Sequence, residues 1–140
     1  MKQLSEEARE LFTAGRRDRI AFRVLRRDAE SPLEIILFHA QQALEKFIKA
    51  ALVLEGIVFR RTHDLVELND RVVQAGIDLP VASDLLARIG PYAVEFRYLG
   101  VIAPAVSIEE AEAAVETLFE WLEKQINDSA QLVLPLDDHN

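Results

Sequence analysis

The chain has no cysteine, one methionine and one tryptophan, and only 5 glycines and 5 prolines among 140 residues. Without cysteine there is no disulfide framework, no thiolate metal site and no thiol nucleophile. So little glycine and proline argues against a turn-rich all-β fold and against a disordered chain. No apolar run approaches the roughly 18 residues needed to cross a membrane. The stretch from Met1 to Arg27 is charged and amphipathic, without the apolar core of a signal segment. A soluble cytoplasmic protein with no membrane partner is expected. A Gly-rich phosphate loop and a serine elbow are both missing. The 3 histidines never stand four apart, so neither a metal site nor a cofactor is expected.

Half of the residues are apolar and 29% are charged, over a length that suits one domain with one core. The net charge of -8 is unevenly spread. Beyond Ser107 the only base is Lys124, set among glutamates and aspartates, whereas residues 1–106 balance to zero. Arg9, Arg16, Arg17, Arg19, Arg23, Arg26 and Arg27 crowd the first segment. An acidic whole is poorly suited to tracking along nucleic acid, and no DNA partner is expected. The local arginines read either as a solvated face answering the acidic last segment or as a surface for phosphates or a partner.

Apolar spacing predicts five helical segments. The first runs from about Ser5 to Asp28, with Gly15 weakening its middle. The second runs from about Pro32 to Glu55, with Ser31 as N-cap and Gly56 as its stop. The third spans about His63 to Gln74, with Thr62 as N-cap and Gly76 as its end. The fourth spans about Val81 to Leu99, with an interruption at Gly90-Pro91. The fifth runs from about Ile108 to Asn127 behind a Ser107/Glu110 capping box. No segment alternates with period two. The expectation is an all-α, up-and-down bundle over residues 1–128, with helices one and five flanking helix two. Residues 129–140 read as a loosely ordered tail.

Several polar residues stand out. His39 and Lys46 share a line on the second helix, well round from the centre of its apolar stripe. They read as a phosphate or base contact, or as an interface histidine beside a solvated lysine. His63 and Asp64 open the third helix behind Arg60 and Arg61, where an anion could dock on free N–H groups or where Asp64 simply caps. Tyr92 is on a core face, and Arg97 at its edge either pairs a carboxylate or enters a cleft.

The run Phe38-His39-Ala40-Gln41-Gln42-Ala43-Leu44-Glu45-Lys46-Phe47-Ile48-Lys49-Ala50 resembles the second-helix signature of HEPN domains, the higher-eukaryote and prokaryote nucleotide-binding family. Thr62-His63-Asp64-Leu65 resembles that family's Thr-His-Asp-Leu. Tyr92-Ala93-Val94-Glu95-Phe96-Arg97-Tyr98 resembles its Tyr-Ala-Val-Glu-x-Arg-Tyr stretch. The resemblance implies a helical bundle, commonly a homodimer. It implies a place beside a minimal nucleotidyltransferase, in some members as a toxin–antitoxin pair. Carried across by position, His39, Lys46, His63, Asp64, Tyr92 and Arg97 become the candidate ligand-binding residues. The family's ribonucleases set a histidine a short step after a late arginine. Here Ile102, Ala103 and Pro104 stand in those places. None of them titrates, so no catalytic residue is assigned and a non-catalytic, nucleotide- or partner-binding role is expected. The alternatives are a ribonuclease toxin with a non-standard site, using His39 or His63, and a pure dimerisation scaffold.

Overall fold

A computed structural model describes residues 5–93 and 105–137, with side chains as far as residue 129. Among them are α1 (Glu6–Leu25), α2 (Leu33–Leu54), α3 (Leu65–Gln74), α4 (Ser83–Ile89), a 3-10 turn (Gly90–Ala93) and α5 (Ile108–Asp137). The described residues contain no strand, so the all-α reading holds.

The caps explain most of the boundaries. Ser5 sits in extended backbone before α1, and its Oγ accepts from the Ala8 N–H at 3.1 Å. Glu6 and Glu7 then place negative charge on the positive end of the helix dipole. The second helix begins one residue later than the sequence suggests. Pro32, not Ser31, takes the N-cap position (φ -62, ψ 140) and contributes no side-chain bond. In α3 the cap is Asp64 rather than Thr62: its Oδ1 accepts from the N–H groups of Val66 at 2.9 Å and Glu67 at 3.2 Å. Thr62 serves one step earlier, accepting from the Asp64 N–H at 3.0 Å. The Ser107/Glu110 box is present as read, with Glu110 N–H to Ser107 Oγ and Ser107 N–H to Glu110 Oε2 both at 3.0 Å.

Two helices end on left-handed glycines. Gly56 (φ 72) and Gly76 (φ 75) let the next N–H turn back, Ile57 to Leu52 O at 2.9 Å and Ile77 to Val72 O at 3.1 Å. At Gly90-Pro91 the fourth helix gives way to the 3-10 turn, as the interruption implied. The later part of that expected segment, 94–99, lies outside the described residues. The fifth helix continues past Asn127 to Asp137, over residues expected as a loose tail. No glycine or proline intervenes before Pro135 to stop it.

The second helix is the centre of the bundle. Leu37, Ala40, Ala43, Leu44, Phe47, Ile48 and Leu52 have no exposed surface. α1 and α5 pack on it, and α3 and the 3-10 turn also lie against it. Helices one and five therefore flank helix two, as expected. The close approach of α1 depends on Gly15, where a Cβ would fall 2.5 Å from Phe47 Cε1. What reads in the sequence as a weak point is thus a packing requirement. Phe47 in turn packs against the stacked pair Phe12 and Phe119, at centroid distances of 5.9 and 5.8 Å.

Long side chains tie α1 to α5. Arg19 forks onto Glu116 at 2.6 and 2.7 Å and lies 4.1 Å over the Phe119 ring. The Glu116 bond, opposed in part by burial, raises the Arg19 pKa further. Arg26 pairs with Glu112 and reaches Glu109 at 3.9 Å. The arginine face thus answers the acidic helix through two of its members. Arg9, Arg17, Arg23 and Arg27 are exposed and form no ion pair among the described residues. Two exposed apolar side chains, Ile20 and Val24, stand among them.

Candidate functional site

With 100° between successive residues, the polar side chains of α2 fall on two separate lines about 120° apart. Gln41, Glu45 and Lys49 form one line, His39 and Lys46 the other. Each line meets a different neighbour.

Glu45 is the root of the first. Its carboxylate is 2% exposed and three donors surround it: Gln41 Nε2 at 3.2 Å, Lys49 Nζ at 2.9 Å and His63 Nδ1 at 2.9 Å. The same Gln41 amide reaches the His63 carbonyl at 3.3 Å, and Gln42 Nε2 donates to Gln41 Oε1 at 2.7 Å. A buried carboxylate survives only when paired and hydrogen-bonded, and Glu45 is both. The network fastens the loop before α3 to the centre of the bundle. It also fixes the imidazole: a carboxylate accepts, so Nδ1 carries the hydrogen, and the tautomer with a lone pair on Nε2 is the neutral form that fits. The His63 side chain is 69% exposed, so this nitrogen is accessible.

Beside it lies a cleft of about 300 Å³, lined by His63, Asp64, Val66, Ala87, Gly90, Pro91 and Ala93. Its walls are small and apolar, and its polar groups come from the start of α3. Three adjoining backbone donors are already engaged, Asp64 N–H by Thr62 and those of Val66 and Glu67 by Asp64 Oδ1. The anion dock considered for this helix end is filled by the protein's own carboxylate. Of the two arginines before it, Arg60 forks onto Glu67 at 3.0 and 2.5 Å. Those hydrogen bonds raise the Arg60 pKa and lower that of Glu67. Tyr92, on the 3-10 turn, is 5% exposed and belongs to the core. Burial, and to a lesser degree Glu34, pushes its phenol above the ordinary value of 10. Arg97 lies outside the described residues.

The second line serves a different purpose. Asp18 of α1 accepts from Lys46 Nζ at 2.5 Å through Oδ2 and meets His39 Nδ1 at 3.0 Å through Oδ1. His39 also stands edge-on to Phe38, with 5.1 Å between centroids. His39 and His63 therefore do not share a pocket. The resemblance grouped them with Arg97 as ligand-binding residues, but each histidine is on its own carboxylate, on a different face of α2. Asp64, joined to the same expected set, is committed through Oδ1 to its helix.

A HEPN domain model matches residues 8–126. The chain belongs to the HEPN family. That range holds every element from α1 through most of α5, so the family resemblance is one of the whole bundle. Searches of curated proteins and of solved structures returned no match. In this HEPN chain no helix among the described residues is long and apolar enough to cross a membrane. Nor do three or more His, Cys, Asp or Glu residues gather among them where a metal could be held.

Four residues important to this geometry went unread in the sequence: Asp18, Gln41, Glu45 and Lys49. The spacing of the last three at four-residue intervals was a signal, because it lines them up on one helical face. Asp18 was marked only by its place between Arg17 and Arg19.

Proposed function

We propose that this chain is a non-catalytic HEPN subunit of the cytoplasm that binds a nucleotide in the His63 cleft. The observation that carries this reading is the His63 imidazole, oriented by buried Glu45 at the edge of an apolar slot of about 300 Å³. Ligand sites usually combine this kind of apolar wall with a few fixed polar groups, and the volume is at the lower end of their range. His63 and Asp64 are the polar contacts. Tyr92 supports the turn that forms the far wall, and Arg97 is retained from the family resemblance as a phosphate contact. His39 and Lys46 are assigned the work of holding α1 to α2.

Isothermal titration with ATP, GTP and AMP tests the reading. Heat is expected with at least one, and less of it after His63→Ala or Arg97→Ala. No heat with any nucleotide removes the claim. The family resemblance supports a homodimer that works beside a minimal nucleotidyltransferase, in the manner of a toxin–antitoxin pair. Co-purification with a nucleotidyltransferase encoded in a neighbouring gene tests that part.

The outer face of α1 favours a second reading, as a scaffold for a protein partner. Exposed Ile20 and Val24 there, bordered by arginines, have the apolar centre and cationic rim found at interfaces.

A further inference from the structure

We propose that the cleft selects a nucleobase bearing an exocyclic amine, because its two polar side chains, Asp64 and the neutral form of His63, present hydrogen-bond acceptors. This rests on the nucleotide reading above and adds the chemical class of the base.

The donors and acceptors around the cleft decide what fits it. Glu45 accepts at 2.9 Å from His63 Nδ1, so in its neutral form the ring offers Nε2 as a lone pair, with no hydrogen bond to it among the described residues. Asp64 uses Oδ1 for the N–H groups of Val66 and Glu67, which leaves Oδ2 as a second acceptor. The remaining lining residues, Val66, Ala87, Gly90, Pro91 and Ala93, have no polar side chain. The N–H groups of Val66 and Glu67 are bound by Asp64, and the Asp64 N–H is bound by Thr62 Oγ1. A phosphate placed here meets a carboxylate and finds these three donors taken. A planar base fits the apolar walls, and an amino group carries two N–H donors for two acceptors. A keto group at the same position sets oxygen against oxygen and leaves both protein acceptors unpaired, which costs more than a lost contact. The phosphate end of the nucleotide accordingly points out of the cleft.

The positioning residues are Glu45 and Gln41. Glu45 sets the tautomer, and Gln41 holds both the Glu45 carboxylate and the His63 carbonyl. Neither touches the ligand.

The test is calorimetric titration of the full chain with AMP, IMP and ribose 5-phosphate, repeated on Asp64→Asn and Glu45→Gln. AMP is expected to bind about tenfold more tightly than IMP, and ribose 5-phosphate more weakly than either. Asparagine is as good an N-cap as aspartate, so Asp64→Asn keeps α3 capped while turning an NH2 donor toward the cleft. The AMP preference should then fall to parity or invert toward IMP. Glu45→Gln should narrow the preference by freeing the tautomer. Circular dichroism melts confirm that each variant is folded, and if Glu45→Gln unfolds, the Asp64→Asn arm decides alone. Equal affinity for AMP and IMP, or a preference untouched by Asp64→Asn, overturns the inference while leaving nucleotide binding in place. Silence with all three ligands overturns both.

Discussion

Replacing Gly15 by alanine is the sharpest test of how α1 meets α2. In an exposed helix interior this change stabilises, because alanine exceeds glycine in helix propensity by about 1 kcal/mol. Here the new Cβ would lie 2.5 Å from Phe47 Cε1 and 2.7 Å from Cδ1, well inside contact distance. The ring has little room to retreat. Phe47 has no exposed surface and packs against the stacked rings of Phe12 and Phe119. Overpacking a filled core typically costs about 1–3 kcal/mol. Clash outweighs propensity, and Gly15→Ala should lower stability by about 1–2 kcal/mol net. In a chain of this size that is a fall in Tm of about 3–7 °C. Urea denaturation followed by far-UV circular dichroism measures it. The control is Phe47→Leu: in that background the alanine should be neutral or stabilising, so the two changes are coupled. A wild-type background in which Gly15→Ala is stabilising would falsify the close-approach argument.

Asp18→Asn should destabilise by about 1–3 kcal/mol in the same assay, because it removes the charged acceptor of both His39 and Lys46. Arg19→Lys should cost about 1 kcal/mol by losing the fork onto Glu116 and the stacking on Phe119. Exposed Arg23→Ala, without an ion pair among the described residues, should change stability by less than about 0.5 kcal/mol. Glu110 titrates at about 2 instead of the ordinary 4.5, held down chiefly by its hydrogen bond with Arg88 and then by the Ser107 N–H. Its folded value is the lower one, so its contribution is complete above pH 4.5 and is lost as the pH falls toward 2. Acid unfolding curves of Glu110→Gln should be flatter than wild type in that window. An unchanged slope there counts against the Arg88 pairing.

The helical architecture was legible because burial in a bundle imposes a repeat of three or four residues, and the apolar positions of α2 and α5 keep it. Stops at Gly56 and Gly76 were legible because only glycine takes their left-handed backbone cheaply. N-caps were read less well. Ser31, Thr62 and Asp64 are all good capping residues, and which one caps depends on where the chain enters the helix, a tertiary matter. Gly15 looked like a defect for the same kind of reason: nothing in its own neighbourhood in sequence announces Phe47. The polar site was read by residue type but not by partner. His39 and His63 were placed together because the family resemblance carries a ligand-binding role to both positions. Their carboxylates, Asp18 and Glu45, decide otherwise, and a pairing between helices depends on a rotational setting that no local pattern specifies.

The run from Phe38 to Ala50 can now be divided by what each line of it does. Phe47, Leu44 and Ala40 face the core, Lys46 and His39 bind α1 through Asp18, and Gln41 and Glu45 bind the loop before α3. This family-like segment is therefore first an assembly element, and its Glu45 line ends at the more exposed imidazole, His63 at 69% against His39 at 26%. This division separates two kinds of loss. His39→Ala and Lys46→Ala should lower the urea midpoint yet leave nucleotide affinity unchanged, since their partner Asp18 is on the other face of α2. His63→Ala should lower affinity, because the side chain is the polar edge of the cleft, and should also lower the midpoint, because it takes one of three donors from the buried Glu45 carboxylate. Paired measurement of midpoint and affinity on the three variants distinguishes these roles. If Lys46→Ala abolishes binding while the protein stays folded, the cleft has been placed on the wrong side of the helix.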